Sequence, residues 1–407
     1  MSLEDSPSKR EGACSLGKDR EPLAFVGACF PPTVLERLMQ REEITDIPAN
    51  VFGWKIVDSL RKNGKHVDVI NEHKQPKFPK GQFLSKGYVI TEPDVDLYTY
   101  RYINVAAIEK ISRAVEIYMK LHYLQPTHIV VYSLHTPYLL PVILYKWKAK
   151  CKSVLVIPDL PMYMFGKSSS IRRLLKGIDY KLLKQLIKKI DAFVLLTKQM
   201  KNELNINAPY TVVEGIVDDG IIPCDEIRSN RGDYIFYSGA VSRNYGLERF
   251  IKSFMGTSVD CQLLVCGNGD YAKEIIENAK VDDRIRYLGF LDRDKVRRLQ
   301  ANATLLVNPR DSDDDYTRFS FPSKTVEYMA SGVPVMMERL EGIPEEYYSY
   351  IIEVKNHDWV TAINRFFEMD RDERSKIGID GQKFVIEKKN GFIQGKKIVE
   401  LFELVDK

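Results

Sequence analysis

Residues Ala303–Met337 read ATLLVNPR, DSDDDYTRFSF, PSKTVEYMASG, VPVMM. The apolar run Ala303–Val307 predicts a buried strand, and an acidic polar loop follows it. A helix opens around Pro322–Ser323 and stops at Gly332, with a second apolar run from Val333. Proline suits a first helical turn, a serine on either side of it can cap, and glycine commonly follows a helix C-terminus. Strand, loop, helix N-terminus, strand is an arrangement in which unpaired N–H groups and the helix dipole meet an anion, most often a phosphate. Lys324 falls in the first turn, and Arg310 and Arg318 lie just upstream. Glu327 lies one turn in, where a carboxylate can accept two hydrogen bonds from a vicinal diol such as a ribose. The plainer reading is a crossover helix whose glutamate complements the dipole.

The same pattern extends outward in both directions. At 407 residues the chain predicts two α/β domains rather than one core. Downstream, YSYIIEV (348–354) is a last short strand; just upstream, the same βα series holds YIFYSG (234–239), CQLLVCGNGD (261–270) and IRYLGFL (285–291), each a strand followed by a glycine turn. Toward the N-terminus come LAFVGACF (23–30), HVDVI (66–70), HIVVYS (128–133), SVLVI (153–157), FVLLT (193–197) and TVVEGIV (211–217). Strands alternating with helices of 10–15 residues predict parallel sheets, whose ligands sit at the strand carboxyl ends. His135 and Asp159 fall at such ends, as does a long loop over 31–48. Residues 72–101 carry no firm assignment. The expected division is a flexible tail over 1–22, one domain over 23–220, a linker over 221–232, a second domain over 233–385, and a terminal helix over 386–407 crossing back to the first.

Composition excludes several classes. The net charge is +4 with 44% apolar residues, and no basic stripe interleaves with stacking aromatics, so nucleic acid is not an expected partner. The six cysteines contain no CxxC pair, which points away from a zinc or iron–sulfur site and toward reduced thiols. The polar N-terminus lacks a secretory pattern, and Ile129–Tyr145 is interrupted by His135, Pro137 and Pro141. A cytoplasmic protein is expected. Charge is polarised, however: Lys146 to Lys201 holds 14 Lys and Arg against three acids. SIRRLLKGIDYKLLKQLIKKI (170–190) spaces its basic residues as a helix lying on an anionic membrane would, with Arg172, Arg173, Lys188 and Lys189 facing lipid. A helix packed on the sheet with a solvated lysine face has the same composition.

The segments YSGAVSRNYGLERFIKSF, LLVCGNGD, IRYLGF and FSFPSKTVEYMASGVPV together resemble the retaining nucleotide-sugar glycosyltransferases of family 4, in the branch that pairs YG with FPSK. FVLLTKQMKNEL and TVVEGIVD match weaker motifs of that family. The resemblance implies the GT-B fold, two facing Rossmann-like domains with an interdomain cleft. It implies a UDP- or GDP-sugar as donor and a hydroxyl acceptor, such as a lipid-linked or surface-polysaccharide precursor. No cofactor and no metal are implied, so the acidic run Asp311–Asp315 reads as a solvated loop.

Residue by residue, the resemblance sets the N–H groups of Ser323, Lys324 and Thr325 on the diphosphate and Glu327 on the ribose. Gly239, Arg243, Gly267, Phe290 and Arg318 complete the donor side, while Ala49 and Asn50 face the donor from the first domain. Asp159, Lys324, Arg310 and His135 are the catalytic candidates, Asp159 standing where the family often has histidine. Three family positions are altered: Phe319 replaces the first acid of a glutamate pair, and Ala240 and Tyr245 replace two cations. A nucleotide-sugar epimerase or an inactive partner subunit are the competing readings.

Overall fold

The computed structural model describes residues 22–105, 108–160, 170–217 and 233–407, with the side chains of 170–176 excepted. The expected tail up to residue 21, the whole of the expected linker and residues 161–169 lie outside the described residues. The first domain opens with β1 (Leu23–Gly27), α1 (Pro32–Gln40), α2 (Ile47–Lys62) and β2 (Val67–Asn71). A hairpin of β3 (Tyr88–Glu92) and β4 (Val95–Thr99) follows, then α3 (Ile108–Leu124), β5 (His128–Tyr132) and α4 (Thr136–Lys148). β6 (Lys152–Ile157), α5 (Ser170–Ile187), β7 (Ala192–Leu195), α6 (Met200–Glu203) and β8 (Tyr210–Val212) complete it. The eight strands are ordered β3-β4-β2-β1-β5-β6-β7-β8, parallel except where β3 runs against β4.

The second domain alternates regularly. Its first half is β9 (Tyr234–Ser238), α7 (Leu247–Met255), β10 (Gln262–Cys266), α8 (Ala272–Val281), β11 (Ile285–Gly289) and α9 (Arg293–Asn302). Its second half is β12 (Leu305–Asn308), α10 (Ser323–Ala330), β13 (Val335–Glu338), β14 (Ile352–Val354), α11 (Trp359–Glu368) and α12 (Arg371–Lys388). Six parallel strands run β11-β10-β9-β12-β13-β14. Both sheets are buried on both faces, which is why their strands read as apolar runs rather than alternations.

Two expectations need correction. The segment over 31–48 is not one loop: Pro31 and Pro32 start the nine-residue α1, which buries Leu35. Residues 72–101 are not wholly irregular, because the alternation of Tyr88–Glu92 and Val95–Thr99 forms the edge hairpin through a turn with Asp94 at φ 57°. Both elements are short and mostly polar outward, so their periodicity was weak in sequence.

A last helix, α13 (Gly391–Asp406), leaves the second domain and packs on α2 of the first. Glycine makes that approach possible, since a Cβ at Gly395 would lie 2.2 Å from the carbonyl oxygen of Ser59. Asn63 Nδ2 donates to Phe392 O at 2.9 Å and Gln394 Nε2 to Gly215 O at 3.0 Å. Where the domains meet, Lys389 ion-pairs with the buried Glu214, whose Oε1 also accepts from Tyr347 OH at 3.0 Å. Thr197 Oγ1 donates to Arg318 O at 2.9 Å. Phe319 is buried against the apolar cluster of the first domain. The aromatic ring standing at the altered family position is therefore a domain-to-domain contact. Among the described residues, no helix is long and apolar enough to cross a membrane.

Candidate active site

The strand orders reverse at two places: between β1 and β5 in the first sheet, and between β9 and β12 in the second. Crevices beyond strand carboxyl ends at such switch points are where open parallel sheets bind ligands. Here they hold Ala28–Phe30 with Ser133–His135 on one side, and Gly239–Val241 with Pro309–Arg310 on the other.

On the second-domain side, the glycines shape the loops. Gly267 has φ 138°, and a Cβ there would lie 1.8 Å from Gly239 O; one on Gly269 would lie 1.9 Å from Val241 O. The loops after β9 and β10 thus rest on each other, tied by Gly239 N–H to Cys266 O at 3.0 Å and Val241 N–H to Asn268 O at 2.9 Å. Of the two glycines assigned to the donor, Gly267 is required by this loop–loop contact, while a Cβ on Gly239 would lie 3.0 Å from the Tyr237 hydroxyl. Gly246, at φ 75°, brings the YG turn against β12, since its Cβ would lie 1.7 Å from Pro309 O.

That contact sets Tyr245 beneath Arg310. The Arg310 guanidinium lies 4.8 Å from the Tyr245 ring centroid and 5.9 Å from that of Tyr316. Its Nη1 donates to Ser320 Oγ at 3.3 Å. A guanidinium stacked on aromatic faces keeps its charge while losing rotamer freedom. Where the resemblance implies a cation, the Tyr245 ring instead supports Arg310, which follows the neighbouring strand β12.

Two of the three N–H groups assigned to the diphosphate stay open at the start of α10. Among the described residues, the N–H groups of Ser323 and Lys324 take no hydrogen bond. Thr325 leaves the set: its N–H donates to Pro322 O at 2.8 Å, and its hydroxyl is buried against Asn308 Nδ2 at 3.3 Å. Neither serine caps the helix, because Pro322 is the N-cap residue. Lys324 Nζ sits 2.8 Å from Glu327 Oε1, and Gln300 Nε2 donates to the same oxygen at 2.8 Å. Gln300 is buried and also reaches Ser238 Oγ at 3.1 Å, so it fixes the carboxylate from behind. Nothing in its sequence context, LQANA, marked it.

Other sequence candidates part from the site. Arg243 is consumed by Glu248 at 2.7 Å and Glu274 at 2.5 Å and stacks on Tyr271. Arg318 pairs with Asp315 at 2.7 Å on the rim. Phe290 projects from the end of β11, 73% exposed. Asn50 is fully buried, its Nδ2 donating to Asp46 O at 3.1 Å, and Ala49 is partly buried. The close backbone approach falls instead at Gly53, where a Cβ would lie 2.8 Å from Ala28 O. Asp311 is held by Arg249 at 2.5 Å, and the buried Glu338 accepts from Ser312 Oγ at 2.8 Å and Trp359 Nε1 at 3.1 Å. Lys188 and Lys189 are exposed just beyond α5, while the side chains of Arg172 and Arg173 lie outside the described residues.

On the first-domain side, Asp159 faces the cleft. Desolvation pushes its carboxyl above the usual range, Asp46 adds to this, and Arg310 from the other domain opposes it. Asp46, which the sequence did not single out, has φ 61° at the start of α2 and pairs with Lys74 at 2.6 Å. Strained non-glycine backbone of this kind concentrates at functional sites. Asp159 therefore stands within electrostatic reach of Asp46 in its own domain and of Arg310 in the other.

His135 begins α4 with its ring edge-on to Tyr138 at 5.0 Å. Desolvation, then Lys74, Arg113 and Lys110, lower its pKa to about 3. It is neutral throughout the physiological range and contributes no cation to the cleft. An unfolded histidine takes up its proton near 6.5 while the folded one does not, so stability falls as pH drops from there toward 3. Wild type is expected to lose roughly 2 kcal/mol more than His135→Gln between pH 7 and 5, read as the difference in urea midpoints. Equal losses would remove His135 from the enclosed site.

Residues 232–368 match the sequence family described as "Glycosyl transferases group 1". Comparison with curated proteins finds no match. Among solved structures, sucrose-phosphate synthase from Thermosynechococcus elongatus superposes with a TM-score of 0.67 at 13% identity, covering 95% of this chain and 99% of that one. Trehalose 6-phosphate synthase from Burkholderia multivorans gives 0.64 at 12% identity, covering 95% and 97%. The fold is GT-B. Anabaena HepE, solved in complex with UDP, gives 0.60 at 12% identity over 94% and 99% of the two chains. The likeness to that family thus lies in the second domain, on a GT-B frame.

Proposed function

We propose that the chain is a retaining glycosyltransferase that moves a sugar from a UDP- or GDP-sugar to a hydroxyl of a lipid-linked or surface-polysaccharide precursor at the cytoplasmic membrane face. The observation that carries this is the meeting of two free N–H groups at Ser323 and Lys324 with the stacked Arg310 at one sheet crevice. Backbone dipoles and cations aimed at a diphosphate stabilise it most when it leaves and gains charge. Lys324 exchanges its partner Glu327 for phosphate, and Glu327, still held by Gln300, becomes free to accept from the ribose hydroxyls.

In the reaction, the bond from the anomeric carbon to the diphosphate oxygen breaks and the acceptor oxygen bonds to that carbon on the same face. The acceptor proton passes to the departing diphosphate oxygen. Asp159, whose charged form Arg310 favours against desolvation and Asp46, opposes the positive charge that develops on the sugar ring, and His135 orients the acceptor as a neutral partner. Closure of the domains about the contacts at Phe319 and Thr197 excludes water.

A thermal-shift series with UDP-, GDP-, ADP- and dTDP-sugars tests the donor. At 100 times its dissociation constant, the true donor adds about 2.7 kcal/mol of stability. Lys324→Ala removes most of that gain. A flat response to all four nucleotides overturns the reading. An inactive partner subunit is the second reading, favoured by the loss of an acid at Phe319; it predicts donor binding without turnover.

A further inference from the structure

Gln300 lies in the last turn of α9 and is buried, yet its amide nitrogen uses both hydrogens on groups of other elements. It donates to Glu327 Oε1 at 2.8 Å and to Ser238 Oγ at 3.1 Å. A carboxylate oxygen only accepts, so the nitrogen and not the carbonyl faces Glu327. Ser238, the last residue of β9, is itself locked. Its N–H donates to Tyr328 OH at 2.9 Å, and that hydroxyl donates back to Ser238 O at 2.9 Å. Tyr328 is fully buried and adjoins Glu327 on α10. α9, β9 and α10 therefore meet at one buried polar point, from which the Glu327 carboxylate is held.

The two donors on that carboxylate are unlike. Lys324 is 34% exposed on a flexible stem and is free to turn toward a phosphate. Gln300 stays, because withdrawing its amide would strand buried polar atoms. Glu327 Oε2 takes no hydrogen bond among the described residues, and the side chain is 41% exposed. Pinning Oε1 therefore fixes where Oε2 points. Satisfying the Ser238 hydroxyl does not account for Gln300 by itself, since Ser238 Oγ also lies 3.4 Å from Tyr328 OH. Phe319, where the resemblance implies a second acid, is seated in the apolar cluster of the first domain. The aim of Glu327 thus depends on Gln300.

We infer that Gln300 is the positioning residue through which this site distinguishes a ribonucleoside from a 2′-deoxyribonucleoside diphosphate. A carboxylate held at one oxygen does not swing to follow a shifted partner. It accepts from both hydroxyls of a ribose, or it is left partly unpaired against a sugar lacking one. This rests on the donor reading above and narrows it to ribonucleotides.

Calorimetric titration of the full-length protein with UDP, GDP and their 2′-deoxy counterparts tests this. Wild type is expected to bind the ribose form of its nucleotide about tenfold more tightly than the deoxy form. Gln300→Met, close in volume but without a donor, is expected to bring that ratio within about threefold, with affinity for the deoxy form unchanged. Gln300→Glu sets a second carboxylate against Glu327. Its ratio is expected to be lost near about pH 8 and regained near about pH 6, as a shared proton restores the donated bond. This variant keeps the side-chain size, so it carries the test if Gln300→Met fails to fold. A wild-type ratio retained in either variant at the higher pH overturns the inference and leaves Gln300 a purely structural group. So does wild-type protein that binds ribose and deoxy forms alike. Wild type that binds neither UDP nor GDP overturns the donor reading itself, and this inference with it.

Discussion

Arg310→Ala is expected to lower kcat by about 10²–10³-fold, equivalent to roughly 2.7–4 kcal/mol of lost transition-state stabilisation. The guanidinium stands at the carboxyl end of β12, held by Tyr245, Tyr316 and Ser320. It is poised before the donor arrives, so its charge costs little reorganisation when the diphosphate departs. It also lowers the pKa of Asp159 against desolvation and Asp46, so its loss favours the neutral acid. The variant's activity is then expected to fall at a higher pH on the acid side than that of wild type. Arg310→Lys recovers only part of the rate, because an ammonium neither stacks on both rings nor bonds Ser320 in the same geometry. Side-chain removal at this partly exposed position leaves the fold intact. A kcat within about threefold of wild type would show that another group neutralises the leaving diphosphate.

Lys389→Met is expected to destabilise the protein by about 3–5 kcal/mol. Lys389 and Glu214 are both buried, and together with Tyr347 they join the end of the first domain, the second domain and the turn into α13. Removing the ammonium leaves a buried carboxylate with the Tyr347 hydroxyl at 3.0 Å and the Lys397 charge farther off to offset its lost hydration. The double variant Glu214→Leu/Lys389→Met removes the stranded charge as well and is expected to regain most of the loss. Urea titration of the three proteins reads this directly. A single variant as stable as wild type would mean that water reaches Glu214 and the domain junction is open in solution.

The parts of this molecule legible in its sequence are those governed by local rules. Val307, Pro322 and Gly332 announce strand, helix start and helix stop without knowledge of anything distant, and α10 lies within a residue or so of that reading. Apolar strands alternating with helices imply two parallel sheets for the same reason, since burial on both faces leaves an apolar run. The motif FPSKTVE likewise marked Ser323, Lys324 and Glu327.

What only the tertiary structure decided are pairings between residues far apart in the chain. Arg243 and Arg310 are both candidate cations in sequence, Arg310 the preferred one, but only the folded chain shows that Arg243 is spent on Glu248 and Glu274 while Arg310 is stacked at the end of β12. Gly246 decides this by laying the YG turn on Pro309, a contact across 63 residues that no local pattern encodes. Gln300 behind Glu327, Asp46 beside Asp159, and Phe319 seated in the other domain's core were invisible for the same reason. Secondary structure follows from each residue's immediate neighbours. The charge presented to a ligand depends on which partners the folded chain has already supplied.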